Sequence, residues 1–279
     1  MVYANEAYFT NYYGDTLTEE QYNYLIQYFD EQSLYSMKSE LFNEIKGWDS
    51  VDVKTDEKYI RIDTYYDYAG NVLRNLETEV SKSEALSFKN SNISSRATTA
   101  THQTSMKKIT LRIYLEVGGA HVVVNLVNEW LGIPNVKSYD LIGMRIMGKA
   151  NSLTLEEDLS YGVQTWDGNI INYTVCPGSS CANTIVTNAS NYTGVGVSMN
   201  IKDNVSNTLR NELTFAIVTN SSYVIAVGTY QHATSTISLS NSQDYSFSAS
   251  GLGNVFYFSS TSLRNKYDNT SGLTVRYDF

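Results

Sequence analysis

Two cysteines, three histidines and a scatter of carboxylates are the side chains of this 279-residue sequence that could do chemistry. Cys176 and Cys181 stand five residues apart across Pro177-Gly178. Pro177 presets φ for a turn and Gly178 accepts the positive φ that follows, so the spacing predicts a disulfide. Two thiols cannot make a tetrahedral zinc site alone. A ring this short contributes about 2 kcal/mol and implies an oxidising compartment. His102, His121 and His232 belong to no motif, and a strand-end histidine of this kind reads as a hydrogen-bonded structural residue. A nucleophile elbow, an H-E-x-x-H pair, a Walker loop, a dinucleotide fingerprint and an EF-hand loop are all absent from the sequence. Glycosidase chemistry needs only two carboxylates facing each other, and distant strands can supply them. Asp63, Asp67, Glu116, Glu129, Asp140 and Asp167 are therefore its candidates. Asp49, Asp52 and Asp56 could share a Ca²⁺ through carboxylate oxygens, although their spacing matches no established loop. No other cofactor is expected.

Aromatic rings offer a second kind of site. A flat ring buries the apolar face of a sugar while a phenol stays wet. Trp166, Trp130, Tyr65 and Tyr66 are the candidate ligand-binding residues, with Tyr12 and Tyr13 beside them. Trp166 precedes the Asp167-Gly168 turn and is expected to be exposed. Tyrosine is equally a favoured strand residue, and the structural reading of these rings is the stronger one.

The elements that must position these groups follow from periodicity. Tyr22, Leu25, Ile26 and Phe29 fall at helical spacing behind capping-box pairs at Thr16/Glu19 and Thr18/Gln21. After a break at Asp30, Leu34, Met37, Leu41 and Ile45 continue the stripe, divided near Ser36 to Ser39, and Gly47 supplies the stop. Helices this short cannot bury their own stripe and must dock on the body. From Lys58 onward the rhythm is two residues. Ile109, Leu111, Ile113, Leu115 and Val117 point one way and Lys108, Thr110, Arg112, Tyr114 and Glu116 the other, a strand with one wet face. Asp167-Gly168 and Ala69-Gly70-Asn71 read as hairpin turns. The expected fold is mainly β, an antiparallel β-sandwich of jelly-roll or Ig-like kind with a small N-terminal α-helical module. Residues 1–57 form the acidic module and its linker GWDSVDVKTDE, and 58–279 the sandwich, with 88–105 a polar loop or edge strand.

Charge divides the same way. Residues 1–57 hold twelve acids and three bases, and the rest holds seventeen of each sign. A neutral body under an acidic module argues against nucleic acid, whose binders concentrate Lys and Arg on one face. No apolar run is long enough for a transmembrane helix.

The run YYGDTLTEEQYNYLIQYFDEQSLYSMKSELFNEIKG resembles the N-terminal helical module of uncharacterised secreted or cell-surface proteins of Gram-positive (Firmicute) bacteria. SYDLIGMRIMG and TYQHAT resemble segments of the β-rich body in the same proteins. This resemblance implies an exported protein and brings no catalytic residues with it. Phe29-Asp30-Glu31 stands where such modules often have a Gly-Phe turn, which puts the packing between helices in question. Val2-Tyr3-Ala4 has the compact residues left after signal-peptide removal. The expectation is a secreted or cell-surface, non-catalytic binding or structural protein whose partner is a cell-envelope glycan or a protein. Its alternatives are a carbohydrate-binding or carbohydrate-active protein and a membrane-inserting β toxin, the latter because STISLSNS and YSFSAS alternate apolar residues with serine.

Overall fold

The computed structural model describes residues 7–67, 69, 72–91, 102–117, 119, 121–176, 181–248 and 253–279. Strands β1 (Phe9–Thr10) and β2 (Thr16–Leu17) precede helices α1 (Glu19–Leu25), α2 (Glu31–Ser36) and α3 (Ser39–Ile45). There follow β3 (Val51–Tyr66), β4 (Val72–Val80), α4 (Lys82–Ser91), β5 (His102–Glu116), β6 (His121–Gly132), β7 (Tyr139–Met147), β8 (Leu153–Trp166) and β9 (Asn169–Thr174). The chain continues through β10 (Thr184–Ala189), β11 (Tyr192–Asn200), β12 (Arg210–Thr219), β13 (Tyr223–Gln231), α5 (Leu239–Ser242), β14 (Tyr245–Phe247), β15 (Phe256–Phe258), α6 (Thr261–Arg264) and β16 (Leu273–Asp278).

Two antiparallel sheets form the sandwich, one of seven strands in the order β4-β3-β5-β6-β12-β8-β9 and one of five in the order β10-β11-β7-β13-β16. Their inner faces meet in the main core, where Leu111, Ile113, Val124, Leu126, Leu213 and Phe215 of the larger sheet pack with Ile142, Met144, Val195 and Val197 of the smaller. The period-two pattern is the cause, since alternate side chains of each strand share one face.

Helices α1 to α3 cover the outer face of the seven-stranded sheet. Leu25, Phe29, Leu34, Leu41, Phe42 and Ile45 pack there with Tyr114, Val123, Tyr161, Val163 and Ala216. The face of β5 expected to be wet is therefore buried at Thr110 and Tyr114. Thr18 and Gln21 form the capping box that starts α1, and Asp30 caps α2 through the Ser33 N–H. The outer face of the five-stranded sheet carries a third layer, in which Phe247, Phe256, Phe258 and Tyr267 cover Leu141 and Val227. Gly194 permits this approach, because a Cβ there would come within 2.8 Å of the Phe247 ring.

Three expectations need correction. The supposed linker is mostly strand, since β3 begins at Val51 and runs sixteen residues across position 57; its charged residues pair with β5, which hydropathy alone does not reveal. Residues 82–91 are helix α4, so the segment 88–105 opens as a helix and closes as strand β5, with 92–101 outside the described residues. STISLSNS is not an amphipathic strand: Ser238 caps the helical turn of α5, and among the described residues of YSFSAS a three-residue strand, Tyr245–Phe247, pairs with β15. Val2-Tyr3-Ala4, Gly70-Asn71 and Pro177-Gly178 lie outside the described residues.

Candidate functional site

Trp130 and Trp166 are not a surface platform. Trp130 lies near the end of β6 inside the main core, and Trp166 is only 7% exposed, contrary to the expectation of a ring open to solvent. The Asp167-Gly168 turn behind Trp166 is built as expected, with φ of 44° and 82°. The carboxylate of Asp167 accepts the N–H groups of Ser206 (2.7 Å), Asn207 (3.0 Å) and Thr208 (2.8 Å), which folds the 206–208 loop over this end of the sheet. Burial opposes ionisation there, but those donors together outweigh it and hold the carboxyl down at about 2. Asp167 is thus a structural acceptor.

Tyr65 and Tyr66 stand half-buried at the end of β3. Tyr65 stacks under Arg74, whose guanidinium carbon lies 4.3 Å from the ring centroid. Tyr66 lines an open groove with Asn75, Gln103, Asn135, His232 and Thr234. Its hydroxyl accepts from Asn135 Nδ2 (2.8 Å) and donates to Gln103 Oε1 (3.2 Å).

Behind this groove lies a buried polar row that the sequence did not announce. His232 Nδ1 bonds both oxygens of Asp140, at 2.9 and 3.0 Å, and Asp140 also accepts the Ala233 N–H at 2.9 Å. The Tyr230 hydroxyl donates to Asp140 and accepts from Trp130 Nε1 (3.1 Å) and Asn211 Nδ2 (2.9 Å). Asn211 in turn accepts from Gln164 Nε2 at 2.8 Å. Burial first, then the Asp140 charge, push the Tyr230 hydroxyl well above its ordinary value of 10, so it stays a donor. A His-Asp pair of this kind orients an imidazole, yet no hydroxyl or thiol among the described residues bonds the other ring nitrogen of His232. Next to it, Lys107 contacts Asp268 in the main core, with Glu77 held against the two residues that follow.

The other carboxylates are spent on structure. Asp63 accepts from Thr104 Oγ1 (2.6 Å) and Arg61 Nε (3.1 Å), Asp67 from the Ala69 N–H (2.8 Å), and Glu129 faces Arg210 (3.7 Å) and Lys108 (3.9 Å). Asp52 accepts the Tyr277 hydroxyl at 2.8 Å and Asp56 the Thr274 N–H at 3.1 Å, both from β16. Among the described residues no three His, Cys, Asp or Glu side chains gather as a metal centre, and Asp49, Asp52 and Asp56 do not converge. His121 lies 3.3 Å from Glu44 of α3, and Cys176 and Cys181 are disulfide-bonded, as their spacing predicts. His102 opens β5 opposite Tyr65.

No protein-family model matches the sequence and no curated protein is similar to it. Among solved structures, the chain is similar to the collagen-binding subdomain of the Enterococcus faecalis surface protein ACE, at 7% identity over 58% of this chain and 89% of that one, with a TM-score of 0.30. A collagen-binding domain from a Staphylococcus aureus adhesin matches at 11% identity over 57% and 89%, TM-score 0.28. The KRT10-binding region domain of the pneumococcal serine-rich repeat protein PsrP matches at 8% over 64% and 87%, TM-score 0.29. These values are too low to carry a function across.

Of the aromatic candidates, Tyr12 and Tyr13 are the ones open to solvent, and Tyr35 joins them. Tyr12, Tyr13 and Tyr35, 49%, 39% and 41% exposed, cluster on the helical module. Tyr12 meets Tyr13 edge-on at 5.4 Å and Tyr35 at 6.2 Å between ring centroids, and the Tyr12 N–H bonds the Tyr35 carbonyl at 2.8 Å.

Proposed function

We propose that this chain is a non-catalytic binding or structural β-sandwich that works outside the cell, at the cell surface or secreted, with the tyrosine cluster of its helical module as contact surface. The observation that carries the reading is that cluster. Exposed tyrosines fixed by neighbouring rings and by a backbone bond offer apolar area with a polar tip at little entropic cost, as binding hot spots do. The disulfide fits an oxidising compartment, and no helix among the described residues is long and apolar enough to cross a membrane. A cell-envelope glycan is the second candidate ligand class, since the same rings suit the apolar face of a sugar.

The test is a comparison of the full chain with its Tyr12→Ala/Tyr13→Ala/Tyr35→Ala variant on immobilised collagen, keratin and cell-wall glycan. Binding to one of these that falls at least tenfold in the variant, with an unchanged circular dichroism spectrum, is the expected result. Equal binding by both proteins removes the cluster from the contact surface. Binding to glycan alone selects the second class.

A further inference from the structure

Lys107 breaks the rule of its own strand. It falls on the core-facing phase of β5 with Ile109, Leu111 and Ile113, next to a register shift between Met106 and Lys107 in the pairing with β6. Bulges of this sort re-aim a side chain and recur beside functional sites. The Lys107 amine lies 5.7 Å from the Trp130 ring centroid and 5.2 Å from that of Tyr230. Both its side chain and that of Asp268 are 0% exposed, and Nζ contacts Asp268 Oδ2.

Read only as an ion pair, the contact is poorly provided for. An ammonium has three N–H donors, and the described acceptors of Lys107 are one carboxylate oxygen and two ring faces. Asp268 Oδ1 is buried without a hydrogen-bond partner among the described residues. Taking two charges from water is repaid only when their remaining donors and acceptors are satisfied. An amide needs one donor and one acceptor in place of three and several.

A third group completes the arrangement. Glu77 of the edge strand β4 accepts the Asn269 N–H and, at 3.0 Å, the Thr270 hydroxyl, so its carboxyl is held by the two residues that follow Asp268. Burial first, and then the Asp268 charge, raise that carboxyl above its ordinary value of 4.5, against an opposing effect of Lys107. A carboxyl so placed can hold a proton and hand it on.

We propose that Lys107 and Asp268 are joined by an intramolecular amide, an isopeptide bond, formed autocatalytically with Glu77 as the proton carrier. Proton transfer from the ammonium to the carboxylates gives the free amine and the carboxylic acid. The Nζ lone pair attacks Asp268 Cγ and an N–C bond forms. Nζ passes a proton to Glu77, Glu77 protonates the departing oxygen, and the Cγ–O bond breaks to release water. One ammonium and one carboxylate thus become one amide and one water, with no oxidant, reductant or activated acyl group required. Fixed contact supplies the acceleration, since well-oriented intramolecular pairs reach effective molarities of about 10⁵–10⁸ M. The dry core opposes the reverse hydrolysis. The bond would tie the seven-stranded sheet to the segment that leads into β16 of the five-stranded sheet, between residues 161 apart in sequence.

The decisive measurement is the intact mass of the purified full chain after reduction and denaturation. The expected mass is lower than the sequence mass by one water molecule, and proteolysis yields a branched peptide joining the segments around Lys107 and Asp268. Lys107→Arg and Asp268→Ala are expected at their full sequence masses, and Glu77→Gln at full mass with a wild-type circular dichroism spectrum. A wild-type chain at full sequence mass overturns the proposal, as does a water loss mapped to any other residues. Complete linkage in Glu77→Gln overturns the role of Glu77.

Discussion

The two faces of the seven-stranded sheet bury charge in different ways. On the outer face, under the helices, Arg210, Glu212 and Asp30 each have three partners or more. Arg210 reaches Ser33 (2.6 Å), Glu212 (3.0 Å) and Asp30, Glu212 also accepts from Asn125 (2.6 Å) and Ser33 (3.2 Å), and Asp30 takes in addition Arg112 and the Ser33 N–H. On the inner face, the Lys107–Asp268 contact has one oxygen engaged and the other without a hydrogen-bond partner among the described residues. A redundant network fixes geometry, because no single group can leave without stranding another. It clamps a helical module whose apolar stripe alone would allow sliding. A sparse contact in a dry place leaves reacting atoms facing each other. Burial of charge therefore serves docking on one side of the sheet and, in our proposal, bond formation on the other.

The largest effect is expected on the clamp. Glu212→Ala leaves the Arg210 guanidinium buried beside its remaining partners and should cost about 3–5 kcal/mol in chemical denaturation, part of which returns when Arg210→Met is added. A loss below about 1 kcal/mol would mean that the clamp is solvated and that the two faces do not differ. Next comes the inner row. Tyr230→Phe strands the Trp130 N–H and the Asn211 amide and takes one donor from Asp140, and a loss of about 2–3 kcal/mol is expected, with the helices still docked. Release of the helices in that variant would show that the faces are coupled. The smallest effect concerns pH. Burial opposes ionisation of Asp30, but Arg210, the Ser33 N–H and Arg112 prevail and hold its carboxyl below the ordinary 3.8. A depressed carboxylate contributes stability that is present above its unfolded value and lost as the pH falls through its folded one. Hydrogen exchange in α1 to α3 should therefore stay slow down to about pH 4 and quicken below it, and Asp30→Asn should remove that dependence.

Much of this architecture is legible in residue order, and the failures have physical reasons. The stripe from Tyr22 to Ile45 and the alternation in β5 depend on local spacing, so helices and strands follow from them. Capping by Thr18 and the turn at Asp167-Gly168 are equally local. Trp166 is hidden because a loop more than thirty residues away folds over its turn, anchored on Asp167. Tyr230 and Asp140 meet across neighbouring strands that are ninety residues apart in the chain. Lys107 did leave a trace, since it occupies the apolar phase that Ile109 continues. Beside Lys108 it reads as half of a solvated pair, and only the register shift at β6 separates the two roles.

Strand β16 forms one border of the five-stranded sheet. Its Thr274 amide points away from β13 and is occupied by the side chain of Asp56, as the Tyr277 hydroxyl is by Asp52. A border with a backbone donor already taken by a side chain is a poorer template for another polypeptide. These two acids thus act as gatekeepers against fibrillar stacking along that border.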